Sequence, residues 1–131
     1  MSTFTAEQIK EAHSKVKSGA DFPNYIKEIK QLGVTHYQSY VADGHIDYYG
    51  HNGHQVTVPA KYAALAISDT CNAEAFKTDL AAHQQGKTDY LTFCSDCAQW
   101  GVEKWTVDIG AMTCTYYDKA GNNVLTEQIP G

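Results

Sequence analysis

The chain reads as one unit written twice. Sliding the sequence along itself places Ala6, Glu7, Lys10 and Gly19 on Ala73, Glu74, Lys77 and Gly86. One further step of offset places Asp21, Gln31, Gly33, Val34, Tyr48, Tyr49, Gly53 and Val56 on Asp89, Gln99, Gly101, Val102, Tyr116, Tyr117, Gly121 and Val124. Chance matching at ordinary composition gives roughly three or four identities over such a length, and here Gly-Val and Tyr-Tyr recur as adjacent pairs in the same order. A tandem duplication constrains the fold strongly. Both halves must adopt one local plan, and two units of about 55 residues, each marginal alone, must share a core.

Charge narrows the partners. Ten Lys and Arg against fifteen Asp and Glu leave a net charge of −5, too little positive charge to neutralise a phosphate backbone, so no nucleic acid is expected. Residues 1–17 alternate charged and apolar groups instead of forming the apolar run of a signal peptide, and no stretch reaches the ~18 residues that cross a membrane. We expect a soluble cytoplasmic protein in which the four cysteines stay reduced.

Thr5-Ala6-Glu7-Gln8 fits a capping box, and Ile9, Ala12, His13 and Val16 follow at helical spacing, which predicts a first helix over 5–18, ended by Gly19. Asp21 and Pro23 open a second helix, whose stripe of Phe22, Tyr25, Ile26, Ile29 and Leu32 ends at Gly33. From Val34 the rhythm changes. Tyr37, Ser39 and Val41 alternate with His36, Gln38 and Tyr40, Asp43-Gly44 turns the chain into a strand over 45–51, and Asn52-Gly53 returns it through 55–58. The second half repeats this plan with helices over 72–85 and 89–100 and strands near 102–109, 112–118 and 123–128. The expected architecture is α+β: two α-α-β-β-β units (about 4–58 and 71–128, joined by a connector over 59–70) forming one domain. Its mainly antiparallel sheet carries the helices packed on it. A short extended stretch is expected at 62–67. Which strands meet at the centre is left open.

Three groups of residues carry candidate chemistry. Cys94-Ser-Asp-Cys97 has the spacing of zinc sites and thiol redox pairs, which makes a thiol-reactive protein one reading. Against it, Cys94 stands a turn inside its helix instead of at the N-terminus that would activate it. Cys71, Cys94, Cys97 and Cys114 also align with Phe4, Ile26, Ile29 and Ile46, which reads all four as small buried hydrophobes.

Four of the six histidines lie between His36 and His54. His45, Asp47, Tyr49 and His51 share one strand face, and a two-residue turn at Asn52-Gly53 would set His51 and His54 opposite each other, ~5 Å apart at Cβ. The second reading is therefore a metal-dependent protein or enzyme in which His51 and His54, with His45 or Asp47, hold a divalent ion such as zinc. Solvated hairpin side chains are the plain alternative. His13 and His83 read as partly buried helix positions.

The third group is tyrosine. Adjacent Tyr-Tyr on a strand puts one ring on each face, so Tyr48 and Tyr116 point to the helices and Tyr49 and Tyr117 to the far side. The two-residue turn also places Val56 and Val58 on the Tyr49 face, so either that register is off by one or the far face is partly apolar. A partly apolar face without helices would be a dimer interface or a ligand floor, with ordinary sheet packing as the plain alternative. There is no phosphate loop, dinucleotide fingerprint or nucleophile elbow, and no catalytic triad assembles from the sequence.

The stretch His83-Gln84-Gln85-Gly86-Lys87-Thr88-Asp89-Tyr90-Leu91-Thr92-Phe93-Cys94, with Gly101-Val102-Glu103-Lys104-Trp105-Thr106-Val107-Asp108 and Thr113-Cys114-Thr115-Tyr116-Tyr117-Asp118, resembles a bacterial and prophage family of small proteins of unknown function whose members often carry the label phage envelope protein. The resemblance implies a compact α+β domain of bacterial or prophage origin with no established activity or cofactor. The functional expectation is a non-enzymatic binding or assembly module without a cofactor. It would present His45, Asp47, Tyr49 and Tyr117 to a ligand and could self-associate as a homodimer through its sheet face.

Overall fold

The computed structural model describes residues 4–16, 21–60 and 62–129. Among them, the elements run α1 (Ala6–Ser14), α2 (Phe22–Leu32), β1 (Val34–Tyr40), β2 (Ile46–Gly50), β3 (Gln55–Val58), α3 (Ala73–Gln84), α4 (Tyr90–Gln99), β4 (Val102–Asp108), β5 (Thr113–Asp118) and β6 (Asn123–Gln128). The α+β class and the α-α-β-β-β order of each half are present. The six strands form one antiparallel sheet in the order β3-β2-β1-β4-β5-β6, so β1 and β4 meet at its centre.

Local signals explain most element ends. The Thr5 hydroxyl accepts the Gln8 N–H at 3.3 Å while Gln8 Oε1 accepts the Thr5 N–H at 2.9 Å, the reciprocal box that starts α1. The helix stops at Ser14, short of the expected end. Lys15 and Val16 send their N–H groups to the carbonyls of Ala12 and His13, three residues back, which tightens and closes the last turn. Residues 17–18 of the expected helix, and Gly19, lie outside the described residues. Gly33, at φ 108°, ends α2 in the left-handed conformation that glycine adopts without strain. In the second half, Asn72 and Asp89 cap α3 and α4 through the N–H groups of Ala75 and Thr92.

All four helices cover one face of the sheet. On that face Tyr25 of α2 meets Tyr48 hydroxyl to hydroxyl at 2.5 Å, Phe76 of α3 packs edge-on against Tyr116, and Phe93 of α4 lies beside Trp105. Tyr37, Ile46, Val58, Val107 and Cys114 complete the buried layer. Tyr48 and Tyr116 thus point to the helices.

The hairpin between β2 and β3 corrects the sequence reading. Its loop holds three residues, His51–Gly53, with Gly53 at φ 76° and the Gly50 N–H bonded to the His54 carbonyl at 2.7 Å. One extra loop residue moves the register by one. Tyr48 therefore opposes Val56 and Ile46 opposes Val58, which carries both valines to the helix side and removes them from the Tyr49 face. His51 and His54 consequently do not face each other across a two-residue turn. The short extended stretch expected at 62–67 is also absent as a strand. The connector instead runs along the end of the sheet, with the Leu65 N–H on the Ala42 carbonyl, the Tyr62 hydroxyl on the Val41 carbonyl and the Ser68 N–H on the Ala98 carbonyl.

Several unusual backbone positions recur at equivalent places in the two halves. Gly33 and Gly101 are left-handed, as are Gly53 and Gly121. Gly44 at φ 80° corresponds to Met112 at φ 54°, the described non-glycine residue with positive φ. The β1 register skips at Thr35 and the β4 register skips at Glu103. At the sheet centre, Gln38 opposes Thr106, and His36 opposite Asp108 mirrors Tyr40 opposite Lys104.

Gly44 tests the strap that the connector makes. A Cβ there would lie 2.6 Å from the Tyr62 ring, in a backbone conformation unfavourable to any L side chain. Gly44→Ala should lower the unfolding free energy by roughly 2–3 kcal/mol in urea titration. A change within about 0.5 kcal/mol would mean that the ring and turn are not held as described.

Candidate functional site

The face of the sheet that no helix covers is polar and aromatic. Successive side chains alternate across the pleat, so the strands place Gln55 and Thr57, Asp47 and Tyr49, His36, Gln38 and Tyr40, Lys104, Thr106 and Asp108, and Thr113, Thr115 and Tyr117 on this side. His36 stacks on Tyr49 with ring centroids 4.6 Å apart and planes 6° from parallel. Tyr40 stacks on His45 at 4.3 Å and 8°. These separations match the distance between neighbouring strands, ~4.8 Å, so the rings stand upright side by side and turn their edges away from the sheet. The face is a row of polar edges and not a flat aromatic floor.

Hydrogen bonds fix which edges are presented. The Thr35 hydroxyl donates to the Tyr49 carbonyl at 3.1 Å, which uses its proton, and so accepts from His36 Nδ1–H at 3.0 Å. Asp43 Oδ1 accepts from both the His45 backbone N–H at 3.0 Å and His45 Nδ1–H at 2.6 Å. These bonds, led by the backbone N–H, hold the Asp43 carboxyl below its ordinary range. With both Nδ1 atoms protonated, neutral His36 and His45 each present a bare Nε2 lone pair. Tyr40 donates to Gln38 Oε1 at 2.7 Å, and Asp47 accepts from Thr57 at 2.8 Å. Partial burial, then the carboxylate of Asp47, raises the Tyr40 phenol. The Lys104 ammonium lies 5.9 Å from the Tyr40 ring centre and 5.7 Å from that of Tyr117, a spacing at which the cation is attracted to both rings.

Tyr49, Tyr117, His45 and Asp47 thus all lie on or at the edge of this face. His51 and His54 are elsewhere. His51 is exposed at the hairpin tip, the opposite end of β2 from His45. His54 turns its Nε2 to the Phe4 carbonyl at 2.7 Å and packs edge-on against the Phe4 ring. Among the described residues no three His, Cys, Asp or Glu side chains gather as a metal-ligand set. His36, Tyr40 and Lys104 are the site residues missed from the sequence. Their alternation with buried neighbours was visible, but their partners depend on β1 lying against β4.

The helix side holds the thiols. Cys94, Cys97 and Cys114 are buried. Burial raises Cys97 well above the ordinary thiol range and pushes Cys114 up to about 12. A nucleophilic thiol needs the opposite environment. Cys71 is half-buried, unlike its buried counterpart Phe4.

A family model described as "Protein of unknown function (DUF1398)" matches residues 10–128. The chain belongs to this family. It is similar to "Uncharacterized protein YcgX" of Escherichia coli strain K12, with 26% identity over 103 residues that cover 79% of this chain and 77% of that protein. Neither description carries a phage or envelope designation, so the family is established and that label is not. Among the described residues, no helix is long and apolar enough to cross a membrane.

Two measurements probe this arrangement. In native protein a thiol reagent should modify Cys71 first and reach Cys94, Cys97 and Cys114 only as fast as the chain unfolds; rapid reaction at Cys94 or Cys97 would restore the thiol reading. His83 stacks on Phe93 at 4.4 Å and donates to the Thr88 carbonyl, and burial lowers its pKa below 6.5. The unfolded chain therefore holds this proton more tightly, and the stability due to His83 is present above pH 6.5 and lost as pH falls below it. Thermal midpoints should drop between about pH 7.5 and 5.5, with a smaller drop in His83→Gln; equal slopes would remove His83 as the cause.

Proposed function

We propose that this protein is a non-enzymatic binding module whose contact surface is the helix-free sheet face. The observation that carries this reading is the repetition of one device. His36 stands over Tyr49 and Lys104 stands over Tyr117 on adjacent strands, and the two pairs occupy equivalent positions in the two halves of the chain. Stacking on Tyr49 and the hydrogen bond to Thr35 already order His36, so a partner that meets it there loses little further freedom, and tyrosines beside polar edges are effective contact groups. We also read the two halves as copies of one ancestral unit. The matched left-handed positions, the matched register skips and the symmetric pairing of β1 with β4 support that history.

A divalent-metal reading keeps one specific support, the Asp43 to His45 hydrogen bond. A carboxylate behind one imidazole nitrogen is how metal-bound histidines are commonly oriented. This moves the metal proposal from His51 and His54 to His45.

Native mass spectrometry of the untagged protein tests both. A co-purified small molecule present in wild type and absent from a folded Tyr49→Ala/Tyr117→Ala variant supports the binding face. A zinc adduct lost in His45→Ala supports the metal reading. Adduct-free masses for all three proteins, each matching its own sequence with and without added zinc, count against both.

A further inference from the structure

The two edges of the sheet are treated differently. β3, at one edge, has four residues and packs against α1. Short strands are one way in which proteins close an edge to further pairing. β6, at the other edge, has six residues, Asn-Val-Leu-Thr-Glu-Gln, with one charge and a register bulge at Val124, and in the sequence each strand has a proline within two residues of its end, Pro59 and Pro130. The inner side of β6 bonds to β5, and the Ile129 N–H continues that ladder to the Met112 carbonyl at 2.7 Å. Alternation along the strand then turns the backbone N–H and C=O groups of Thr126 and Gln128 outward. Among the described residues no backbone hydrogen bond reaches them from that side.

We propose that β6 pairs antiparallel with β6 of a second copy of this chain, extending the sheet across a twofold axis at Thr126. The molecule already contains the template for this contact. Its two three-stranded halves join by antiparallel pairing of β1 with β4 about Gln38 and Thr106, and a twofold axis at β6 repeats that operation between chains. The strand is also self-complementary. A twofold at Thr126 pairs Thr126 with itself and sets Glu127, the only charge on β6, beside Leu125 of the second copy instead of its own counterpart. Leu125, partly buried now, is covered further. All helices stay on one side, and the polar faces of both copies remain open. A strand edge is a small interface, so the dimer is weak and depends on concentration.

Sedimentation velocity on the full chain from about 10 to 500 μM tests this, together with amide hydrogen exchange at both ends of that range. The expected result is a dimer fraction that rises with concentration, with exchange at Thr126 and Gln128 slowed in step. Thr126→Pro removes one outward donor per copy and should weaken the dimer about ten-fold while circular dichroism stays native. The exchange result stands on the wild-type protein even where the variant fails to fold. A monomer throughout the range overturns the proposal. So does a dimer that leaves Thr126 and Gln128 unprotected, or one abolished by Tyr49→Ala/Tyr117→Ala, which would place the contact on the sheet face.

Discussion

Tyr37 against Val107 and Ser39 against Trp105 set the register on which both faces of this molecule depend. A strand pair slipped by one residue turns every side chain to the other face. At the centre of a six-stranded sheet such a slip, with Tyr37 kept under its helix, would expose Trp105 and Val107 and bury Lys104 and Thr106. The helices could then no longer cover both halves. With the observed register, the apolar positions of all six strands fall under α1 to α4 and the polar positions are left together on the open side. The candidate site is thus a by-product of the same pairing that builds the core.

Within that core, polar groups are placed with care but not completely. Tyr25 and Tyr48 answer each other's hydroxyls, and Trp100 gives its indole N–H to Asp79. Ser39 is different, because its hydroxyl is buried without a hydrogen-bond partner among the described residues. Its counterpart in the second half is Val107, which has no polar atom to satisfy. Leaving a buried hydroxyl unpaired costs about 1–3 kcal/mol, so the first half carries a penalty at the sheet centre that the second half does not.

Much of this was legible in the sequence because the signals are local. Capping residues, glycine stops and helical stripes located all four helices to within a few residues, and the Tyr-Tyr pairs gave the correct face for each ring. The failures concern loop length and distant pairing. A three-residue hairpin and a two-residue hairpin share the Asn-Gly signal, yet they differ by one in register, and that single residue decided where Val56 and Val58 point. His36, Tyr40 and Lys104 acquire meaning only when β1 lies beside β4, a contact between opposite halves of the chain that no local pattern encodes. His54 was misjudged for a similar reason. Its partner, the Phe4 carbonyl, lies far back in the chain, before the first helix.

The strap over 62–70 has a consequence for how copies of this chain keep apart while folding. Two similar halves that meet edge to edge could each find the matching half of another chain, giving an exchanged dimer with the same interfaces. The connector opposes this. Tyr62 and Leu65 anchor it to the end of the first half, while Ser68, and Asp69 through Lys119, anchor it to the second. An exchanged pair would have to release those anchors or open them in both chains. The linker therefore acts as a bookbinding, holding each pair of half-sheets to its own spine.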